Sequence, residues 1–263
     1  MEEEINNRLI LVPCDFSPLA FHAMEHGAYM SKTLNCRLTI LHVASRNAEI
    51  PAMTKKMHFV AEDCFDNFGV RPEIIVRHGE QPYSVIRDVA NELDPVGVVL
   101  KTGGGIRTIK ILSGTSIPFL VVQGAPKNET IKNIAFPINF LNKLDEKMKR
   151  VIHFSDYYPD AVMHIITPSG KGTEKERYVS TTKKLMTKVL NDQNINFNYL
   201  THDKKSNTAE IILELCKDVD IIVTQVQEAN FFSGLYQGLR EEKLIKNAQM
   251  IPVLCFKKDS DFK

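Results

Sequence analysis

Two short stretches of this sequence carry groups whose types and spacing could do chemistry. In the first, Arg8 to Pro18 (RLILVPCDFSP), an apolar run ends in a carboxylate and a hydroxyl two residues apart, Asp15 and Ser17. In the second, Thr102 to Gly105 reads TGGG, with Arg107 and Lys110 close behind. Consecutive glycines let a backbone wrap an anion with its amides, and a nearby cation adds charge. Gly103, Gly104 and Gly105 are therefore candidates for an anion nest, although three glycines equally make a plain sharp turn. Asp15 and Ser17 place a carboxylate and a hydroxyl at the turn that follows the run. Each also has a structural use, Asp15 as a carboxylate at a helix N-terminus and Ser17 as the N-cap before Pro18.

Such groups act together only if a scaffold gathers them. The unbroken apolar run Leu9 to Pro13 suits a strand covered on both faces. The pattern then predicts a helix from Pro18 to Leu34 and a strand from Arg37 to Val43. An amphipathic helix follows over Ile50 to Phe68, its face drawn from Met53, Met57, Val60, Ala61, Cys64, Phe65 and Phe68, and Gly69 stops it. A strand at Glu73 to Val76, a helix at Tyr83 to Leu93 and strands at Val96 to Leu100 and Ile117 to Val122 complete the unit, with a short helix expected before the last strand. Strands alternating with helices imply parallel pairing and right-handed crossovers. The fold class is α/β: a doubly wound, Rossmann-like, five-stranded parallel sheet flanked by helices.

The chain then repeats itself. In KNIAFPINFL, Lys132 to Leu141, Pro137 answers Pro13 and Asn139 answers Asp15 at an offset of 124 residues. Letter by letter, Val98 and Val99 fall on Ile221 and Ile222, and Leu41, His42 and Val43 fall on His164, Ile165 and Ile166, both at an offset of 123. Second-half strands are expected at Ile134 to Ile138, Ala161 to Thr167, Asn196 to Leu200, Asp220 to Gln225 and Pro252 to Phe256. Helices are expected at Lys143 to Ser155, Glu174 to Asp192, Thr208 to Lys217 and Gly238 to Lys246. The chain thus reads as two tandem domains, 1–126 and 127–263. Pro126 to Thr130 is the only linker, so the two domains are expected to pair within the chain.

Composition narrows the function classes. Hydrophobic residues make up 43% and charged residues 25%, and the formal net charge is +1. No apolar run approaches the roughly 20 residues of a membrane span, and the start MEEEINNR lacks the basic head and apolar core of a signal peptide. The cytoplasm is the expected location, with no membrane partner. Lys183 to Lys188 and Lys204 to Lys205 read as solvated faces in a near-neutral chain, so no nucleic acid is expected either. Five cysteines without CxxC spacing point to apolar fillers. His22 and His26 sit four apart on a helix, but HAMEH is not HExxH and no third ligand is in view, so no metal site is read. No Gly-x-Ser-x-Gly elbow or Cys–His pair supports acyl transfer.

VPCDFS after the first strand, LHVAS at Leu41 to Ser45, HGEQP at His78 to Pro82 and the closing IPFLVV together resemble the universal stress protein family, in its tandem two-domain form. The resemblance covers essentially the whole chain, more faintly in the second half. It implies a stress-response binding or regulatory module rather than an enzyme, with ATP as the candidate ligand at the carboxyl ends of the strands. Asp15 and Val43 match family positions that contact the adenine end of the nucleotide, and the resemblance makes Ser17 a further candidate beside its N-cap role.

The family's phosphate loop has the form G-x-x-G, nine residues, then G-S or G-T, after the fourth strand. From Val99 to Ile117 is 18 residues against 29 from Ile222 to Ile251, so the first half keeps glycines but lacks eleven residues of length. In the second half the two loop glycines fall on Gln225 and Glu228, and Leu239 follows Gly238. Phe231, Phe232, Leu235 and Tyr236 in the same segment form an apolar cluster suited to packing or to a partner. ATP is accordingly expected in the first domain alone, if in either. Two other readings stay open: a nucleotide sensor or weak ATPase built on the first half, and a protein-interaction scaffold. A homodimer is expected through the apolar last strands.

Overall fold

The structure is a computed structural model that describes residues 8–102, 115–138, 144–172, 175–204, 207–226 and 239–257. Contacts divide the chain into two compact units. One is Met1–Glu129 with Gln225–Lys246 and Leu254–Lys263, and the other is Thr130–Thr224 with Asn247–Val253.

In the first unit the elements are β1 (Leu9–Pro13), α1 (Pro18–Thr33), β2 (Arg37–Ala44), α2 (Ile50–Phe68), β3 (Glu73–His78), α3 (Pro82–Leu93), β4 (Gly97–Lys101) and β5 (Phe119–Val122). The strand order is β3-β2-β1-β4-β5 and the pairings are parallel. β1 lies between β2 and β4, and Ile10, Leu11 and Val12 are fully buried, so both faces of the strand are covered along this run and an apolar sequence without alternation results. α1 packs close to this strand through Gly27. A Cβ there would stand 2.6 Å from a γ-methyl of Val12 and 3.1 Å from a δ-methyl of Leu38. α2 buries Met57, Val60, Ala61 and Cys64 and ends where Gly69 turns left-handed (φ 67°). Phe65, expected on the buried face, is exposed instead, and the Arg71 guanidinium lies 4.8 Å from its ring centroid. The helix expected between β4 and β5 lies outside the described residues.

The second repeat has β6 (Asn133–Pro137), α4 (Leu144–Tyr157), β7 (Val162–Pro168), α5 (Glu176–Asp192), β8 (Phe197–His202), α6 (Ala209–Leu215), β9 (Ile221–Val226), α7 (Leu239–Ile245) and β10 (Val253–Lys257). Its strand order, β10-β9-β6-β7-β8, mirrors the first. Thr208 caps α6, its hydroxyl accepting from the Ile211 amide. Beside it, the buried Asn207 donates through Nδ2 to the carbonyls of Ile138 (3.3 Å) and Ile166 (3.1 Å) and accepts from His202 at 2.7 Å. One amide thereby ties together the chain leaving β6 and the end of β7.

Strand register corrects the letter-by-letter match between the repeats. Pro13 pairs with Leu41 and Pro137 with Ile166, so Leu41 corresponds to Ile166 at an offset of 125, not 123. Leu11 pairs with Val98 and Ala135 with Ile222, which sets β4 against β9 at 124. Val98 and Ile222 donate to Pro118 and Pro252, an offset of 134, so the connection before the last strand is ten residues shorter in the first repeat, not eleven. Apolar residues in buried strands are interchangeable, and only the hydrogen-bond ladder distinguishes them.

Two consequences can be measured. His26 is buried, bonded through Nε2 to the Gly124 carbonyl at 3.2 Å, and burial holds its pKa down to about 4. The unfolded chain therefore takes up this proton first. Stability present above pH 6.5 should fall as pH drops from 6.5 towards 4, by about 1.4 kcal/mol per pH unit at the steepest. Urea titrations across that range should show a shallower decline in His26→Gln. Asn207→Ala strips the Ile138 carbonyl and His202 of their partner and should cost about 1–3 kcal/mol by chemical denaturation.

Candidate functional site

The turn after β1 builds the site. Cys14 extends the strand pairing through its amide to the Leu41 carbonyl (2.8 Å), and its own carbonyl accepts from Nδ1 of His42 at 2.8 Å. Phe16 then adopts φ 62°, a left-handed conformation that is costly for a bulky side chain. Its ring is held by His42 (centroids 4.6 Å apart) and by the Lys56 ammonium, 3.7 Å from the ring centroid. The reversal points Ser17 back at Asp15. The Ser17 amide and hydroxyl donate to Asp15 Oδ1 at 3.1 and 2.7 Å, and the hydroxyl accepts from the Ala20 amide at 3.3 Å as the N-cap of α1.

Lys101, at the carboxyl end of β4, completes the cluster. Its ammonium donates to Asp15 Oδ2 and to Ser17 Oγ, the latter at 2.7 Å. Partial burial pushes the Asp15 carboxyl up, but the bonds from Lys101 and Ser17 outweigh it and hold the pKa below the ordinary value. The side chains differ in exposure, 56% for Asp15 and 26% for Lys101, so the lysine side chain is the more enclosed of the two.

Above this cluster a cavity of ≈470 Å³ opens at the carboxyl ends of β1, β2 and β4 and the start of α3. Pro13, Leu41, Val43, Ile86 and Leu100 give it apolar walls, and Asp15, His42, Glu80, Gln81, Tyr83 and Lys101 give it polar groups. Ligands in open parallel sheets bind at this end, where connections leave neighbouring strands for opposite faces. Of the residues singled out from the sequence, Asp15 and Val43 line the cavity, and Ser17 stands behind Asp15. Gly103, Gly104 and Gly105 lie outside the described residues, as do Arg107 and Lys110. Lys101 was not found from sequence. Its one signal is position, a lone charge closing an apolar strand just before TGGG.

The second repeat treats the same place differently. By register, Ile138 and Ile166 correspond to Cys14 and Leu41, two residues of the cavity wall, and both carbonyls are taken by Asn207. Gln225 corresponds to Lys101. Asn139, Glu228 and the Phe231 to Tyr236 cluster lie outside the described residues. Elsewhere His22 meets Glu25 at 3.9 Å and His26 the Gly124 carbonyl, and among the described residues no group of three or more His, Cys, Asp or Glu is placed to hold a metal ion. No helix among the described residues is long and apolar enough to cross a membrane.

No family model and no curated protein matches the sequence. Solved structures do match. A universal stress protein from Archaeoglobus fulgidus DSM 4304 superposes with a TM-score of 0.74 at 15% identity, covering 97% of this chain and 98% of that one. A functionally unknown protein from Pseudomonas aeruginosa PAO1 gives 0.66 at 14% identity, with 96% and 93% covered. A candidate universal stress protein from Pseudomonas aeruginosa UCBPP-PA14 gives 0.66 at 13%, with 95% and 93% covered. The match spans both repeats, and the fold of this chain is the universal stress protein fold, carried twice in one polypeptide.

Proposed function

We propose that the chain is a tandem member of the universal stress protein family, with repeats at 1–126 and 127–263, and that it works as a stress-response binding or regulatory module. Its ligand is a small molecule of the adenine nucleoside or nucleotide class, taken by the first repeat alone. The cavity at the ends of β1, β2 and β4 carries this reading, because it unites Asp15 and Val43, two residues far apart in sequence, on an apolar pocket of ligand size. Gln225, which stands where Lys101 does, supports confining the ligand to one repeat, since it carries no charge at the position of the ammonium that completes the cluster. Binding fits better than catalysis: Asp15, ion-paired and held ionised, is a weak proton acceptor. Five free cysteines suit a reducing compartment, and the cytoplasm is the location proposed.

Calorimetric titration of the full chain with adenosine and with ATP and magnesium tests this. The expected result is saturable binding of at least one of them at one site per chain, lost in Val43→Trp, which fills the cavity, while the circular dichroism melt persists. If neither compound gives saturable heat at millimolar concentration, the reading fails.

A further inference from the structure

The hydrogen-bonding capacity of the Asp15–Ser17–Lys101 cluster can be counted atom by atom. The Ser17 hydroxyl has one proton and two lone pairs. It gives the proton to Asp15 and accepts from Ala20 and Lys101, so nothing is left for a ligand. Asp15 Oδ1 accepts twice from Ser17 and is likewise full. Asp15 Oδ2 accepts once, from Lys101, and keeps one lone pair. Lys101 has three N–H groups; two are used, on Asp15 and Ser17, and one is left. The cluster therefore offers a ligand one acceptor and one donor, side by side at the edge of an apolar pocket.

Charge points the same way. Among the described lining residues there are two carboxylates, Asp15 and Glu80, against the single ammonium of Lys101, beside the imidazole of His42. That ammonium is already committed to Asp15, so an incoming anion would meet no unneutralised cation among the described lining residues. A neutral group that both donates and accepts, such as the vicinal diol of a sugar or the edge of an amide, would satisfy both remaining valences without breaking the ion pair.

We infer that Lys101 is a specificity-determining residue that, by neutralising Asp15 and presenting one spare N–H, sets the first-repeat pocket for a neutral nucleoside-like ligand in preference to its phosphorylated forms. This rests on the proposed ligand class. It makes Lys101 the reason an ordinary ATP preference would be lost, independently of the length of the following loop.

The test compares adenosine, AMP and ATP by calorimetry on the full chain and on Asp15→Asn, which removes the neutralising charge but keeps the shape of the side chain. In the wild type, adenosine should bind at least as tightly as AMP, and AMP at least as tightly as ATP. In Asp15→Asn the unneutralised ammonium should shift the adenosine-to-ATP affinity ratio towards ATP by about tenfold or more. A wild type that prefers ATP tenfold would overturn the inference and leave the pocket assignment standing. A ratio unchanged by Asp15→Asn in a folded variant would also overturn it. Absence of binding by all three compounds would remove both.

Discussion

Everything in the first unit depends on the two-sided burial of β1. Ile10, Leu11 and Val12 have no exposed surface, and burying such side chains contributes about 1.5–3 kcal/mol each. That constraint fixes the parallel neighbours on either side, and the pairing continues through the buried Cys14 before the chain turns out of the sheet. The turn that follows is a strained one, with Phe16 in a left-handed conformation held from β2 by His42 and from α2 by Lys56. The reversal at Phe16 then folds the carboxylate and hydroxyl after β1 against each other.

β4 supplies the other half. It is placed by its pairing with β1, Ile10 with Gly97 and Leu11 with Val98, and this puts Lys101 within reach of Asp15 across 86 residues of sequence. No loop or helix need close for the cluster to form. The polar centre of the site is made by the end of β4, the turn after β1 and one helix cap, and sites set on strands and helices are held more precisely than sites on loops, while the cavity walls come largely from the apolar termini of the same strands.

Much of this was legible beforehand because buried parallel strands and capped helices leave strong local signatures. LILVP announced β1, Ser17-Pro18 announced the start of α1, and Gly69 announced the end of α2. The two-domain α/β architecture and the carboxyl-end location of Asp15 and Val43 followed from those signals. What failed was anything set by non-local geometry. The repeat offsets slipped by one or two residues because Val, Ile and Leu are equivalent on a strand covered on both faces. Phe65 was assigned to the core because α-helical spacing gives the face but not its width. Lys101 was invisible because one lysine at a strand end carries no period. Asn207 was passed over for a similar reason, since its two acceptors are 69 and 41 residues away.

The Asn207 bonds have a meaning for how the two repeats respond to their surroundings. A side chain tethered beside its two carbonyls is always present, at a local concentration that no dilution changes. The second repeat's strand ends are therefore held with a constant free energy set by covalent structure. The corresponding residues of the first repeat, Cys14 and Leu41, have their carbonyls bonded to His42 and to the Cys14 amide and also line the cavity, so a molecule bound there would add stability in proportion to the logarithm of its concentration. One polypeptide thus joins a half whose strand ends are tied by its own side chain to a half where anything bound from solution would add to the hold.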